Sequence, residues 1–301
     1  MKNHNYSLFE VYEIKDETFE FQLVKEYELY INKSVLGEGC FHKVNLAIQK
    51  RDFVESQQSD GFLLIKEKSI EPKKWVVKKV KSYENLQEVP YDIAKQQIAL
   101  KLADAFNELL RRRSKSLDIF VRYVKPYLAV PLFNEEHKYV YELEEYQDTK
   151  EDNGFYIFNR PTGNIDQNMN QHPHLGIVRL PHTFSHWTYV ITNGLVMITD
   201  VQGWKVNIGQ YVFTDPVVFS NIEGLLGKID WGQSGMKNWL NKHKCNDMCI
   251  KLRLDTMNPD ITLIEQLQIY LDKFASKEIQ EIMFDLKILT GQRFKESNYN
   301  F

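Results

Sequence analysis

His243-Lys-Cys-Asn-Asp-Met-Cys249, taken with Phe184-Ser-His-Trp-Thr-Tyr189 upstream, is the stretch on which the reading of this chain turns. It gathers an imidazole and two thiols within seven positions, a donor set that suits tetrahedral zinc. A closed zinc site needs a fourth ligand from elsewhere, and His186, embedded in an apolar segment, is the natural source. The plainer alternative makes Cys245 and Cys249 buried thiols one helical turn apart, His243 an exposed side chain and His186 a satisfied core residue. Spacing alone leaves both open.

Between these two segments lie Thr199-Asp-Val-Gln-Gly203 and Thr214-Asp-Pro216, each following an apolar strand-like run. Two carboxylates and an amide at strand ends are what magnesium-dependent phosphoryl transfer uses, because hard oxygen ligands bridge metal and phosphate. Turn chemistry explains Asp beside Gly or Pro equally well. Further upstream, Gly37 and Gly39 sit between two apolar runs and precede Lys78 in the β-branched run Trp75-Val-Val-Lys-Lys-Val80. Such glycines let a backbone approach phosphates and an inward Lys supplies a point charge, although Lys78 could instead face solvent on an edge strand. Residues 227–235 are glycine-rich and run into a helical pattern, so they read either as an anion- or peptide-binding loop or as an ordinary loop and cap.

Outward from these segments the organisation is α+β. Residues 9–30 alternate charged with aromatic or aliphatic residues, a period-two strand pattern, and the 35–47 stretch reads as a hairpin with a tight turn. Residues 90–113 carry apolar residues near helical spacing and end in three arginines, as a helix C-terminus favours. Strands follow at 127–130 and 139–143, then polar loops at 147–154 and 161–174, with a lobe boundary near 145–154. Residues 184–219 form a second apolar block rich in Val, Ile, Tyr and Thr. Helical periodicity returns from Leu263, with a second candidate helix at 278–289.

Composition sets the outer bounds. The 301 residues carry 38 Lys and Arg against 41 Asp and Glu, a net charge of −3, which lacks the positive field that nucleic-acid binding needs. Hydrophobic residues make up 43% of the chain, with 18 Phe, 16 Tyr and 5 Trp, enough for sizeable cores. No apolar stretch approaches the roughly 20 residues of a membrane span, so no membrane insertion is expected. The start, Met1-Lys-Asn-His-Asn-Tyr6, has neither the apolar core nor the cleavage site of a signal peptide. Three cysteines, including Cys40, are too few for a secreted disulfide framework. A cytoplasmic location is expected, with cytoskeletal association one setting for it.

In order along the chain, Phe184-Ser-His-Trp-Thr-Tyr189, Asp200-Val-Gln-Gly203, Thr214-Asp-Pro216, the 227–235 loop and His243-Lys-Cys-Asn-Asp-Met-Cys249 resemble the alpha-kinase family. These atypical protein kinases include the myosin heavy chain kinases, the elongation-factor-2 kinase and kinase domains fused to certain channels. Looser likenesses precede them: Gly39-Cys-Phe-His42 at the family's glycine turn, Val76-Val-Lys78 at its lysine strand, Ala103-Asp-Ala-Phe-Asn107 at its Ala-x-x-Phe-Asn helix and Leu143-Glu-Glu-Tyr146 at the segment linking its lobes. The resemblance covers roughly residues 35–254.

It implies a two-lobed α+β kinase-like fold: an extension at 1–30, a nucleotide-binding lobe at 31–146, a zinc-stabilised catalytic lobe at 147–256 and a helical extension at 257–301. It further implies ATP- and magnesium-dependent phosphoryl transfer to Ser/Thr of protein substrates. Gly39 would belong to the nucleotide turn, Lys78 would contact ATP phosphates, and Glu144, Glu145 and Tyr146 would line the adenine pocket. Asp200 would be the catalytic aspartate, Gln202 and Asp215 would hold magnesium, and His186, His243, Cys245 and Cys249 would bind structural zinc. At three places the chain departs from the family. His42 stands where an Arg is favoured, Asp200 and Asp215 are 15 positions apart with an insertion around 205–212, and Phe158-Asn-Arg160 lies where a Lys is usual. Those departures carry the alternative, a catalytically weak kinase-like adaptor or structural component of a larger protein assembly.

Overall fold

Six strands close into a barrel in the order β1-β2-β3-β6-β9-β8. They are β1 (Ser7–Ile14), β2 (Phe21–Glu38), β3 (His42–Gln49), β6 (Lys74–Val80), β8 (Pro126–Leu132) and β9 (Tyr141–Glu145), and a short hairpin of β4 (Gln57–Ser59) and β5 (Phe62–Leu64) lies between β3 and β6 in sequence. The structure is a computed structural model that describes residues 6–15, 20–39, 41–50, 57–59, 62–64, 72–82, 86, 88–113, 118–132, 140–148, 154–164 and 176–276. Cys40, the 165–174 part of the expected polar loop and the expected helix at 278–289 lie outside those residues.

Strand alternation decides which side chains fill the barrel. Phe9, Val11, Leu29, Ala47, Trp75, Val77, Ala129, Tyr141 and Leu143 form its interior cluster. On the same strands the intervening residues, Lys78 of β6 and Glu142 and Glu144 of β9, must therefore sit on the outer wall. Residues 7–14, grouped by the sequence with an N-terminal extension, are a stave of this barrel, paired with both β2 and β8.

That outer wall is covered by α1 (Val89–Arg113), whose Ile93, Ala94, Ile98, Ala99, Leu102 and Phe106 are fully buried. Beyond α1 lies a second sheet of order β10-β12-β13-β7, built from β7 (Phe120–Tyr123), β10 (Phe155–Ile157), β12 (Gln202–Asn207) and β13 (Gln210–Thr214). A two-stranded ladder of β11 (Val196–Thr199) and β14 (Val217–Ser220) continues from it. The apolar block that begins near residue 184 opens in α2 (Gly176–Ile191), a helix despite its β-branched content. Its hydroxyls explain how it can be buried: Thr183 donates to the Arg179 carbonyl, Ser185 to Pro181 and Thr192 to Thr188, so their polar atoms need no water.

The described residues close with α3 (Gly232–Lys242), α4 (Asp247–Lys251) and α5 (Ile261–Ala275). The expected helix from Leu263 is present, and its Leu263, Leu267, Tyr270, Leu271 and Phe274 join the main core, with Phe274 against Tyr91 of α1 at 5.7 Å between ring centroids. Among the described residues no helix is long and apolar enough to cross a membrane.

Gly203 is the tightest point of the second sheet. At φ 144° a Cβ there would lie 2.1 Å from the Val212 carbonyl oxygen, so both backbone conformation and space demand glycine. Gly203→Ala is expected to cost about 3 kcal/mol or more, read as a lowered denaturant midpoint; an unchanged midpoint would contradict the packing described.

Candidate active site

Lys78 leaves the barrel wall directly opposite Glu142 in the β6–β9 register. Its ammonium lies 2.9 Å from Glu142 Oε1, 2.9 Å from Glu144 Oε1 and 3.1 Å from Thr214 Oγ1, with Asp215 Oδ1 at 3.8 Å. The edge-strand reading of this lysine is excluded, since it is only 4% exposed. Gln96 of α1 stitches the three elements together. Its amide nitrogen donates to Glu144 Oε1 and to the Val124 carbonyl, while its oxygen accepts from the Asp215 amide at 2.9 Å. Burial alone would lower the Lys78 pKa, but Glu142, Glu144 and Asp215 hold it well above its ordinary value. Glu142 is pushed well up, by burial first and by Glu144 and Asp215, against the pull of Lys78.

The two aspartates meet across the β12–β13 hairpin. The residues expected to form an insertion are that hairpin, in which Gln202 pairs with Thr214 and so returns Asp215 beside Asp200's strand. Gln202 Nε2 donates to the Asp215 carbonyl at 3.0 Å, so the amide nitrogen is turned to the protein. Both aspartates have left-handed backbones, φ 51° at Asp200 and 53° at Asp215, two of four such non-glycine residues among those described. That conformation costs about 1–3 kcal/mol at a non-glycine residue and tends to collect at functional sites, whereas an ordinary capping turn needs no such pair. Asn159, fully buried, fixes the first of them: its oxygen accepts from the Val201 amide at 3.2 Å and its nitrogen donates to Ser185 at 3.0 Å.

Burial, then repulsion from Asp215, raises the Asp200 carboxyl to about 7 against the opposing pull of Arg160. Asp215 goes the other way. Burial would raise it, but Lys78, His42 and Lys95 together hold it below its ordinary range, although half its side chain is open to solvent. Lys95 and His42 belong to a second cluster, where Asp92 lies 2.6 Å from Lys95 Nζ and 3.3 Å from His42 Nε2.

The remaining expected residues fall around this centre. Glu144 turns its side chain into the Lys78 nest, while Glu145 is exposed and pairs with Lys73 at 3.4 Å. The Tyr146 amide donates to the Lys74 carbonyl at 3.1 Å, holding the strand-to-loop transition against β6. Gly39 donates its amide to the His42 carbonyl at 3.0 Å, and nothing within 4 Å would meet a Cβ there. The 227–235 loop is wrapped on its own anion: Asp230 accepts from the amides of Ser220, Leu226 and Gly232 and from the Ser220 hydroxyl. Within the loop itself, the Gly232 amide is thus taken by Asp230 and the Lys228 amide by Glu88 at 3.2 Å, so protein carboxylates brace this segment from inside.

At the far end of the same half, the ligating atoms of His186, His243, Cys245 and Cys249 all lie within 4.8 Å of one another. Cys249 Sγ is 3.6 Å from His243 Nε2 and Cys245 Sγ is 3.7 Å from His186 Nδ1, close to the roughly 3.6 Å edge expected between sulfur and nitrogen on a tetrahedral zinc. Only Cys249 sits on α4; Cys245 precedes its cap, Asn246, whose side chain accepts from the Met248 and Cys249 amides. Burial lowers both histidines, His243 to about 3, so each is in its neutral, metal-ligating form. The donor chemistry therefore suits zinc.

Gln96 and Glu142 were not among the residues the sequence singled out, and Thr214 and Asn159 stood in quoted motifs without a role of their own. Gln96 was findable, three positions after Ile93 on the apolar stripe of a helix. Glu142 had a weaker signal, its i, i+2 spacing from Glu144 in a strand whose alternate residues are apolar.

A buried lysine, strand-end carboxylates and an amide, brought together where the barrel wall meets the second sheet, are the kind of charged groups that phosphoryl transfer uses. The model of the alpha-kinase family matches residues 37–249. The chain is similar to alpha-protein kinase vwkA of Dictyostelium discoideum, 39% identical over 72 residues that make up 24% of this chain and 11% of that protein. It is also similar to human transient receptor potential cation channel subfamily M member 7, 30% identical over 216 residues, 68% of this chain and 10% of that one. The chain thus spans about a tenth of the length of these curated relatives.

Among solved structures, the alpha-kinase domain of myosin heavy chain kinase A complexed with ADP superposes with a TM-score of 0.62 at 16% identity, covering 85% of this chain and all of that one. A novel alpha kinase from Entamoeba histolytica gives 0.62 at 18%, covering 85% and 96%. The chain belongs to the alpha-kinase family.

The raised Asp200 pKa has a sign that can be tested. The folded chain keeps this proton up to about pH 7, while the unfolded chain releases it near 3.8. Stability therefore falls as pH rises between those values. In metal-free buffer Asp200→Asn, which tolerates the left-handed backbone, is expected to be more stable than the parent at pH 8, by at most about 4 kcal/mol. The difference should vanish near pH 4; equal melting temperatures at pH 8 would contradict the burial of a charged Asp200.

Proposed function

We propose that the chain transfers the terminal phosphoryl group of ATP, with magnesium, to serine or threonine hydroxyls of protein substrates. The observation that carries the reading is the left-handed pair Asp200 and Asp215, joined by one hairpin, with Asp215 3.8 Å from Lys78. Phosphoryl transfer asks a protein for positioned charge more than for covalent chemistry. Lys78 supplies a point charge for phosphate oxygens, and the segment from Glu144 to Tyr146 borders the place for the base. Asp200, titrating near neutrality, accepts the proton of the attacking hydroxyl. Gln202 and Asp215 offer hard oxygens to magnesium, which when bound neutralises charge on the phosphates.

In the same reading, the nucleotide lobe is the barrel with α1, beginning at β1 rather than at residue 31, and the catalytic lobe lies within 147–256, with zinc at His186, His243, Cys245 and Cys249 as a structural staple joining α2 to the end of α3. The module is read as cytoplasmic, with a protein substrate or a larger protein assembly as its partner. The weak or adaptor reading has one specific observation in its favour, the complete engagement of Lys78 by protein acceptors.

In a single-turnover assay with labelled ATP, magnesium and a basic protein acceptor, Asp200→Ala should lower incorporation about 10²- to 10⁴-fold. An unchanged rate would overturn the assignment. Metal analysis of the purified chain should find one zinc per molecule, lost together with several degrees of melting temperature in Cys249→Ser. A full-length folded protein without zinc would contradict the staple.

A further inference from the structure

An ammonium group has three N–H bonds to give and no more. At Lys78 all three have acceptors inside the protein: Glu142 Oε1, Glu144 Oε1 and Thr214 Oγ1. Glu144 and Thr214 belong to a mutually satisfied set, because Glu144 also receives the Gln96 amide and the Thr214 hydroxyl, the latter at 2.7 Å. Glu142 does not. Its Oε1 takes the Lys78 bond, while its Oε2 is buried with no hydrogen-bond partner. That oxygen is unsatisfied whether the carboxyl is ionised or protonated. Of the three acceptors on Lys78, Glu142 is the one whose departure strands no other side chain.

We propose that Glu142 competes with nucleotide phosphate for Lys78. It is a positioning residue that occupies the N–H bond a phosphate oxygen would otherwise accept, and it sets how tightly the cleft holds the phosphates of ADP or ATP. The inference rests on the nucleotide reading of the same cleft. The competition is electrostatic as well as geometric. Three carboxylates, Glu142, Glu144 and Asp215, already lie within 4 Å of one ammonium, and a phosphate brings further negative charge to that point. Glu142 must therefore give up Lys78 when a phosphate takes it, and the burial that favours its neutral form eases that release.

The test compares the parent chain with Glu142→Gln, which keeps shape and removes charge, and Glu142→Leu, which removes the acceptor. Each is titrated calorimetrically with ADP and magnesium and, separately, with adenosine. ADP is expected to bind about tenfold more tightly or better to both variants, with adenosine affinity unchanged, since only the phosphates meet Lys78. A purely structural role would shift both ligands together. ADP binding unchanged or weakened in a Gln variant whose melting temperature shows it folded overturns the inference alone. No ADP binding by the parent or either variant overturns the nucleotide reading and this inference with it. Binding that appears only in the variants supports the inference in its strongest form.

Discussion

The ammonium of Lys78 ties the two halves of the molecule together. It leaves the outer wall of the barrel, donates to two carboxylates of β9, and reaches the last residue of β13 in the second sheet. Gln96 of α1 closes the same knot from the helix between them. Taking such charges out of water costs several kcal/mol per ion, so a buried network of this kind is not a cheap source of stability. Its effect is to set position. The aspartates at the ends of β11 and β13 can face a lysine on another element only if all three elements are held in one register.

The same constraint explains why the acids are strained. Asp200 and Asp215 leave their strands through left-handed turns, and each turn is held by a side chain from another element. Asn159 grips the backbone after Asp200, and Gln96 grips the amide of Asp215. Opposite electrostatics then separate two chemically identical groups. Asp200, short of cations, is raised toward neutrality, while Asp215, beside Lys78, His42 and Lys95, stays anionic. One carboxyl is suited to proton transfer and the other to holding charge.

Much of this could be read in the amino-acid order, and the parts that could not have physical reasons. Short-range signals survived: β6 around Lys78, α1 with its arginine-rich end, the hairpin near Gly39, and the Cys245 and Cys249 pair with its histidines. The reading of α2 was obscured because its Val and Thr residues carry a strand-like composition, and only hydroxyl bonds back to the preceding turn make them acceptable in a buried helix. The role of residues 7–14 depends on pairing with β8, over a hundred positions away, which no local pattern announces. Glu142 and Asp230 were silent for the same reason: an acid's meaning depends on what faces it, Lys78 in one case and three backbone amides in the other.

The central claim is that nucleotide binds in the cleft between the barrel wall and the second sheet, against Lys78 and the two aspartates. Hydrogen–deuterium exchange with and without ADP and magnesium tests it most directly. The account predicts joint slowing of amides in residues 74–80, 142–146 and 199–215, which are far apart in sequence and meet only around Lys78. Slowing confined to one of these segments, or located elsewhere while these three remain unchanged, would contradict it.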